Sequence, residues 1–438
     1  MDQGDRRRVA WTLYEWAQQP YWALIATFIF TPYFASGFVG DAVRGQSLLG
    51  YAGVISGLAI AILSPLLGAT LDARRNPRAW LVGLAFPFVI ASAALWWAEP
   101  GETSRIPLIL ACLVMGSVAA ELGVTVMNAL LPVVAKPGQV GRLSGTAWAL
   151  AYVGALITLF IVLFCFSLPK VPMLGLSKAL HEPDRIVGPL VAMWFLAFAW
   201  PLMLIAPKPS EGAGEKPLAE LWATIRSLPS RPHMLKFLIG RMLLGDGISS
   251  FIAFGGVLAA GLFGWTTTQL GLYAIMLSVA AGIGTFIGGR VDQKIGSKAT
   301  VLIATGVILF GAIGVGMVGK DTIFFLISVA PAKAGALFAS TPERMFLFFS
   351  LFVGLTFGPA QSSLRAWMAE LAPAGETGRW FGLYALSGKA TAFMAPLVIA
   401  IGTRLAGDQR IAVVVSAAFM ALGALVLMSA PRRAPVVD

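Results

Sequence analysis

The sequence predicts an all-α integral membrane protein of about twelve transmembrane helices, arranged as two pseudo-symmetric six-helix bundles. Three observations predict it. Of the 438 residues, 58% are hydrophobic and 12% charged, against roughly 25% charged in soluble domains, and the mean hydropathy is +0.80. Apolar runs of about 18 residues or more recur along nearly the whole chain, each long enough to cross a hydrocarbon core of roughly 30 Å as a helix. Two short landmarks recur at matching places in the two halves, as in a six-plus-six duplication of the kind secondary transporters use.

Taken in order, the runs fall near 10–38, 48–70, 79–98, 106–135, 143–166, 187–206, 233–263, 267–289, 299–318, 343–370, 380–404 and 409–430. The opening "MDQGDRRRVAW" puts basic residues ahead of the first run, as a secretory leader does. That run is long, contains Glu15 and has no small-residue cleavage site, so it is expected to remain as a helix. Alternate connections place most Lys and Arg on the side of the N-terminus, which sets both termini in the cytoplasm of a cell (plasma or inner) membrane protein. The longest polar connection, 207–232, divides an N-terminal bundle (1–206) from a C-terminal one (233–438). Within it Leu218, Leu221, Trp222, Ile225 and Leu228 follow helical spacing, so a short amphipathic surface helix is expected. The stretch 322–339 is apolar but interrupted by Pro331 and Lys333, and reads as an external or re-entrant segment.

The landmarks that repeat are "GATLDARRNPR" (68–78) with "GGRVDQKIGSK" (288–298), and "GRLSG" (141–145) with "GRWFG" (378–382). Gly68 and Gly288 suit close helix approach; Asp72 and Asp292 can accept from a neighbouring helix N-terminus or pair with Arg74 or Lys294. The alternative is a basic loop resting on anionic lipid.

The Gly-x-x-x-Asp-plus-basic signature, with its echo, resembles the major facilitator superfamily. More narrowly, "WTLYEWAQQPYWALIATFIFTPYF", "GRLSGTAWALAYVGA", "LLGDGISSFIAFGG" and "GPAQSSLRAWMAELAP...GRWFGLYALSGKATA" resemble the branch of autophagy-related vacuole effluxers and their bacterial relatives. Where that branch has Tyr-Asp-Trp-Ala-Asn-Ser, this chain has Tyr14, Glu15, Trp16, Ala17, Gln18 and Gln19. The resemblance implies a permease working by alternating access, efflux of amino acids in the eukaryotic members, and a cytoplasmic gate at Gly68, Asp72, Arg74, Gly288, Asp292 and Lys294.

Ionisable groups inside the runs carry the chemistry. Glu15, Gln18, Gln19 and Trp22 lie at i, i+3, i+4 and i+7, one helical face, extended a turn by Trp11. Pro20 has no N–H and leaves the carbonyl of Trp16 open to another donor. That face suits a water-filled cavity, or Glu15 reaches headgroup water or a basic partner. In the fourth run Ser117, Glu121, Thr125 and Asn128 again share a face. Glu121, near mid-span, is the first candidate for proton coupling, ahead of Asp246 and Glu15; the competing reading is a fixed ion pair with Arg241, Arg365 or Lys389.

Arg241 and Asp246, five residues apart, point about 140° away from each other on a helix and each need a partner elsewhere. Gln361 and Arg365 share a face, and Tyr384 flanks Lys389. One charge left at mid-membrane costs roughly 2.5–3.5 kcal/mol, so six facing lipid would cost about 15–20 kcal/mol; they are expected to face inward. Three acids with three bases suit a zwitterion or small anion. Gln18, Gln19, Trp22, Thr125, Asn128, Arg241, Gln361, Arg365, Tyr384 and Lys389 are the substrate-binding candidates.

Other classes are excluded on residue grounds. The net charge of +11 is gathered at run ends, where it orients the chain in a membrane and is not a nucleic-acid footprint. Cys112, Cys165, His181 and His233 are too few and too scattered for a disulfide framework or a metal site. "LSGKAT" lacks the glycine and hydroxyl spacing of a phosphate loop, and no cofactor is expected. The expectation is a monomeric, proton-coupled secondary transporter, not an enzyme, with a small polar solute, protons and membrane lipids as partners and no nucleic acid. The alternatives are an exporter of amphipathic drugs or lipids, and a non-transporting receptor with the same fold.

Overall fold

In the computed structural model of the protein, residues 2–74, 76–206, 217–265, 267–329, 337–392, 394–406, 408 and 410–432 are described. Asp2 caps the first helix, α1 (Gln3–Pro20), by accepting the Asp5 N–H; both acids sit at the positive end of the helix dipole. Regular α geometry ends at Pro20. Tyr21–Phe28 continue as a π-helix, α2 (Phe30–Tyr33) follows, and Phe34–Phe38 form a second π segment. Next come α3 (Ala42–Arg74) and α4 (Pro77–Ala94), the latter opened by Asn76 as cap and Pro77 in the first turn. Then α5 (Ile106–Val134), α6 (Val140–Ile161), the one-turn α7 (Glu182–Arg185) and α8 (Val187–Ile205) complete the first half of the chain.

The amphipathic helix expected between the halves is α9 (Pro217–Ser227), with Leu218 and Trp222 exposed and Leu221 buried; 207–216 lie outside the described residues. α10 (Pro232–Phe263) stops at Gly264, whose φ of +66° is a left-handed conformation that glycine adopts without strain. α11 (Thr267–Ile295) and α12 (Ser297–Gly316) meet at the single residue Gly296, φ +89°. The stretch read as external or re-entrant holds an antiparallel hairpin, β1 (Thr322–Ile323) with β2 (Ile327–Ser328); Pro331 and Lys333 lie outside the described residues. α13 (Thr341–Leu371), α14 (Thr377–Ser387), α15 (Met394–Ala406) and α16 (Ile411–Met428) close the chain.

Among the described residues, eleven helical stretches are long and apolar enough to cross a membrane, and Leu397–Ala406 is a shorter apolar helix. The run expected at 380–404 is therefore not one helix. α14 ends at Ser387, and a turn through Gly388 and Lys389 separates it from α15.

Two compact units emerge, each described by itself. The first comprises Met1–Lys136, Leu150–Thr224 and Ala372–Leu386; the second comprises Pro137–Ala149, Ile225–Leu371 and Ser387–Asp438. In the first unit α5 is central, packed by α1, α3 and α4, with α8 against α1 and α4. Small residues on α5 admit large partners: a Cβ at Gly123 would lie 2.6 Å from the Tyr14 hydroxyl, and one at Gly116 2.9 Å from that of Tyr21. In the second unit α13 takes the matching place between α11 and α12, while α10 packs on α16. There Gly311 and Gly314 of α12 make room for Phe349 of α13. The fourth and tenth runs are thus equivalent centres, as a duplicated chain requires. Outward faces such as Val54, Ile55, Leu58 and Ile62 on α3 are exposed and apolar, fit for acyl chains.

Candidate functional site

In the first unit, α1 and the π-helix after it lie antiparallel to α5 in a single register. The Trp11 Nε1–H donates to the Met127 carbonyl at 2.8 Å, Gln18 Nε2 donates to the Ala120 carbonyl, and the Tyr21 hydroxyl meets Ser117 Oγ at 2.9 Å. That register puts Glu15 level with Gly123 and Glu121 level with Ala17. Glu15, Gln18, Thr125 and Asn128 are buried, while Gln19, Trp22 and Glu121 are half-buried. Thr125 returns its hydroxyl to the Glu121 carbonyl. Trp11 and Gln18 are turned onto the α5 backbone, so part of the expected polar face is an anchor between helices. Gln18 Oε1 is buried without a hydrogen-bond partner among the described residues.

Opposite this seam, the carbonyl that Pro20 frees is used. Trp194 Nε1–H of α8 donates to Trp16 O at 3.2 Å, and the two indoles stack at 5.7 Å.

In the second unit, Arg241 of α10 donates to Ser387 Oγ at 3.1 Å, and a Cβ at Gly388 would lie 2.3 Å from the guanidinium. The break after α14 is where that guanidinium fits. Asp246 is buried five residues on, with Thr391 near it. Lys389 and Gln361 are half-buried. Arg365 of α13 is 3% exposed. Its Nε donates to Ser144 Oγ at 3.0 Å, a terminal nitrogen donates to Ser144 O at 3.2 Å, and its guanidinium lies 5.8 Å from the Trp148 ring. Ser144 in turn donates to Ser362 O at 2.8 Å. Tyr384, counted with the first unit, is buried edge-on against Phe381.

The two repeated landmarks are partners of each other, and the pairing occurs once in each unit. In the first, Gly68 of α3 faces the start of α14: a Cβ there would lie 2.1 Å from the Gly378 carbonyl. Asp72, 2% exposed, accepts the N–H groups of Gly378 (2.8 Å) and Arg379 (2.9 Å). A carboxylate at a helix N-terminus meets unsatisfied donors and the positive dipole end together. Arg379 adds its guanidinium, 3.5 Å from Asp72, 3.3 Å from Glu220 of α9 and 3.6 Å from Glu376. Arg74 has its side chain outside the described residues.

In the second unit, a Cβ at Gly145 of α6 would lie 2.6 Å from Gly289 Cα, and one at Gly141 only 1.7 Å from Asp292 Oδ1. The close approach to α6 is made by Gly289; Gly288 packs instead on Pro359. Asp292 is 3% exposed and accepts the Ser297 hydroxyl at 3.0 Å. Lys294 and Arg142 are exposed.

Sequence reasoning missed Arg379, Glu220, Ser144 and Trp194 as partners. Arg379 and Ser144 were visible inside the repeated five-residue motifs, and the proline after Trp16 was the signal for Trp194. Among the described residues, no group of three or more His, Cys, Asp or Glu could hold a metal ion.

Comparison with known proteins places this arrangement. Residues 35–434 match the family described as "Vacuole effluxer Atg22 like". The chain is 21% identical over 434 residues to the uncharacterized MFS-type transporter YxiO of Bacillus subtilis, covering 97% of this chain and 94% of that one. It is 23% identical over 287 residues to autophagy-related protein 22 of Cryptococcus neoformans, covering 63% of this chain and 49% of that protein, so it spans about half the length of that fungal relative. Among solved structures, the proton:xylose symporter XylE superposes with a TM-score of 0.74 at 15% identity, over 98% of this chain and 96% of that one. The transporter FucP does so at 0.73 and 13% identity, over 98% and 99%. Family and neighbours are transporters, and the fold is the major facilitator fold. The chain belongs to the family of Atg22-like vacuole effluxers within the major facilitator superfamily, a multi-pass secondary transporter and not an enzyme.

Proposed function

We propose that the chain moves a small polar solute, an amino acid in the first instance, by alternating access coupled to protons. It works as a monomer in the cell membrane with both termini cytoplasmic. The observation that carries this reading is the α1–α5 seam: Glu15, Gln18, Thr125 and Asn128 are buried inside stretches apolar enough to cross a membrane, with Glu121 half-buried beside them. Ionisable groups at hydrocarbon depth are costly and are kept where they bind or carry charge. Arg241, Asp246 and Lys389, at the α14–α15 break, supply both signs on the second unit. Arg365, held by Ser144 and Trp148, adds a buried positive charge to the second unit's candidates. The two glycine–aspartate pairs act as the cytoplasmic gate, opening and closing with each cycle.

Glu121 is the proton site. Replacing it by Gln removes a titratable group and keeps the shape, so gradient-driven accumulation in proteoliposomes is lost while solute counterflow survives. Unchanged uphill transport by that variant sinks the assignment. Counterflow of an amino acid panel tests the cargo: turnover of lipophilic dyes alone, or binding without turnover, replaces this reading with an exporter of amphipaths or a receptor.

A further inference from the structure

In the first unit α3 packs on α5, yet between residues 48–55 of one and 107–115 of the other the two helices leave a groove of about 460 Å³. Tyr51 and Ile55 of α3 and Leu110 and Met115 of α5 line it, and the small side chains of Ala52 and Ala111 keep it open. Every lining side chain is apolar but for the Tyr51 hydroxyl. Both segments lie inside stretches long and apolar enough to cross a membrane, Arg44–Ala73 and Thr103–Val134, and Tyr51, Ile55 and Met115 are exposed, so the groove is open along its length. At 1.5 Å per residue it runs for about 12 Å, most of the roughly 15 Å depth of one hydrocarbon leaflet. A water molecule there would lack the two to four polar partners that hold buried water, and an empty groove would forfeit dispersion contacts on both walls.

The end of the groove is charged. Arg44 lies one turn before Leu48 on the same face of α3, in the first turn of that helix. Its side chain is exposed and makes no ion pair among the described residues. Asp41, the nearest acid in sequence, caps the helix by accepting the Arg44 N–H at 3.1 Å.

We infer that the groove is a binding site for one phospholipid of the leaflet in which α3 begins, with an acyl chain between α3 and α5 and the phosphate on Arg44. A guanidinium at the membrane edge above an apolar trough matches an anion joined to a hydrocarbon chain, and a headgroup with net negative charge is favoured over a zwitterionic one. A small polar solute finds neither donor nor acceptor along the walls, so this site is separate from the polar seam proposed for transport. Seated there, the chain braces α3 against α5, the helices that carry Asp72 and Glu121.

The test is photolabelling of the full-length protein in nanodiscs with a phosphatidylglycerol that bears a diazirine on one acyl chain, the adducts being mapped to peptides. Adducts are expected to gather on residues 48–55 and 107–115, several times denser than on an ordinary apolar face such as that of Val414, Leu422 and Leu425 on α16, all exposed. Unlabelled phosphatidylglycerol should displace the label about fivefold better than phosphatidylcholine, the preference that one interfacial Arg supplies. Arg44→Gln removes that preference and keeps the labelled positions. Ala111→Phe fills the groove and clears it of label while labelling of α16 is unchanged; should that variant not fold, Met115→Trp at the open edge takes its place. Label spread evenly over α3, α5 and α16, or gathered on the groove but indifferent to the filling variant, overturns the site. Label that the filling variant clears but that both lipids displace equally shows an alkyl groove with no headgroup contact, and overturns the phospholipid assignment. None of these readouts depends on transport.

Discussion

At the α3–α14 contact, Gly68 lies against the Gly378 carbonyl and Asp72 holds two N–H groups. At the α6–α11 contact, Gly145 lies against Gly289 and Gly141 against Asp292. The glycines do the same work in both, since any Cβ would meet backbone or the acid itself. The charges do not. In the first pair the buried guanidinium belongs to the motif, Arg379 at its second position. In the second it comes from outside, Arg365 of α13 reaching Ser144 at the fourth position, where the first pair has Phe381. Duplication has kept the steric half of the device and relocated its electrostatic half. Backbone contact tolerates no substitution, whereas an ion pair can be rebuilt from any helix within reach.

Substitutions can break this comparison. Arg379→Ala should cost most, about 3–5 kcal/mol, because it leaves the buried Asp72 carboxylate without its counter-charge; chemical denaturation in detergent reads it. Asp72→Asn should cost about 2–3 kcal/mol through loss of charge-assisted bonds, against about 1 kcal/mol for Asp292→Asn, whose partners Ser297 and Ser363 are neutral hydroxyls. Ser144→Ala, which strands the Arg365 Nε–H and frees Ser362 O, should cost about 1–2 kcal/mol. Arg142→Ala should stay within about 0.5 kcal/mol, as exposed side chains do. If Arg142→Ala proves as damaging as Arg379→Ala, the two pairs are electrostatically equivalent.

Length and apolarity made the helices legible, and i, i+3, i+4 spacing made the Glu15 and Glu121 faces legible. The duplication was visible in the landmarks, but that they are each other's partners was not: Gly378 and Asp72 are 306 residues apart, and no local pattern encodes that contact. The break after Ser387 was hidden inside a continuous apolar run, and the Arg241 guanidinium that packs on it comes from α10, far away in sequence. The shift from Gly288 to Gly289 was hidden because two adjacent glycines read alike in sequence yet point about 100° apart on the helix. Trp11 and Gln18 shared a face with Glu15 as spacing requires, yet spacing cannot tell a cavity wall from a neighbouring backbone.

Proline inside a transmembrane helix usually grants a hinge, since one rung of the ladder is missing. Here the rung is replaced from the side, by the Trp194 indole on the Trp16 carbonyl. The first and sixth spans of the chain are thereby pinned at one point, and bending of either must pull on that indole. Trp194 is thus a tether across the proline bend, and any motion that opens the bend must first release its N–H.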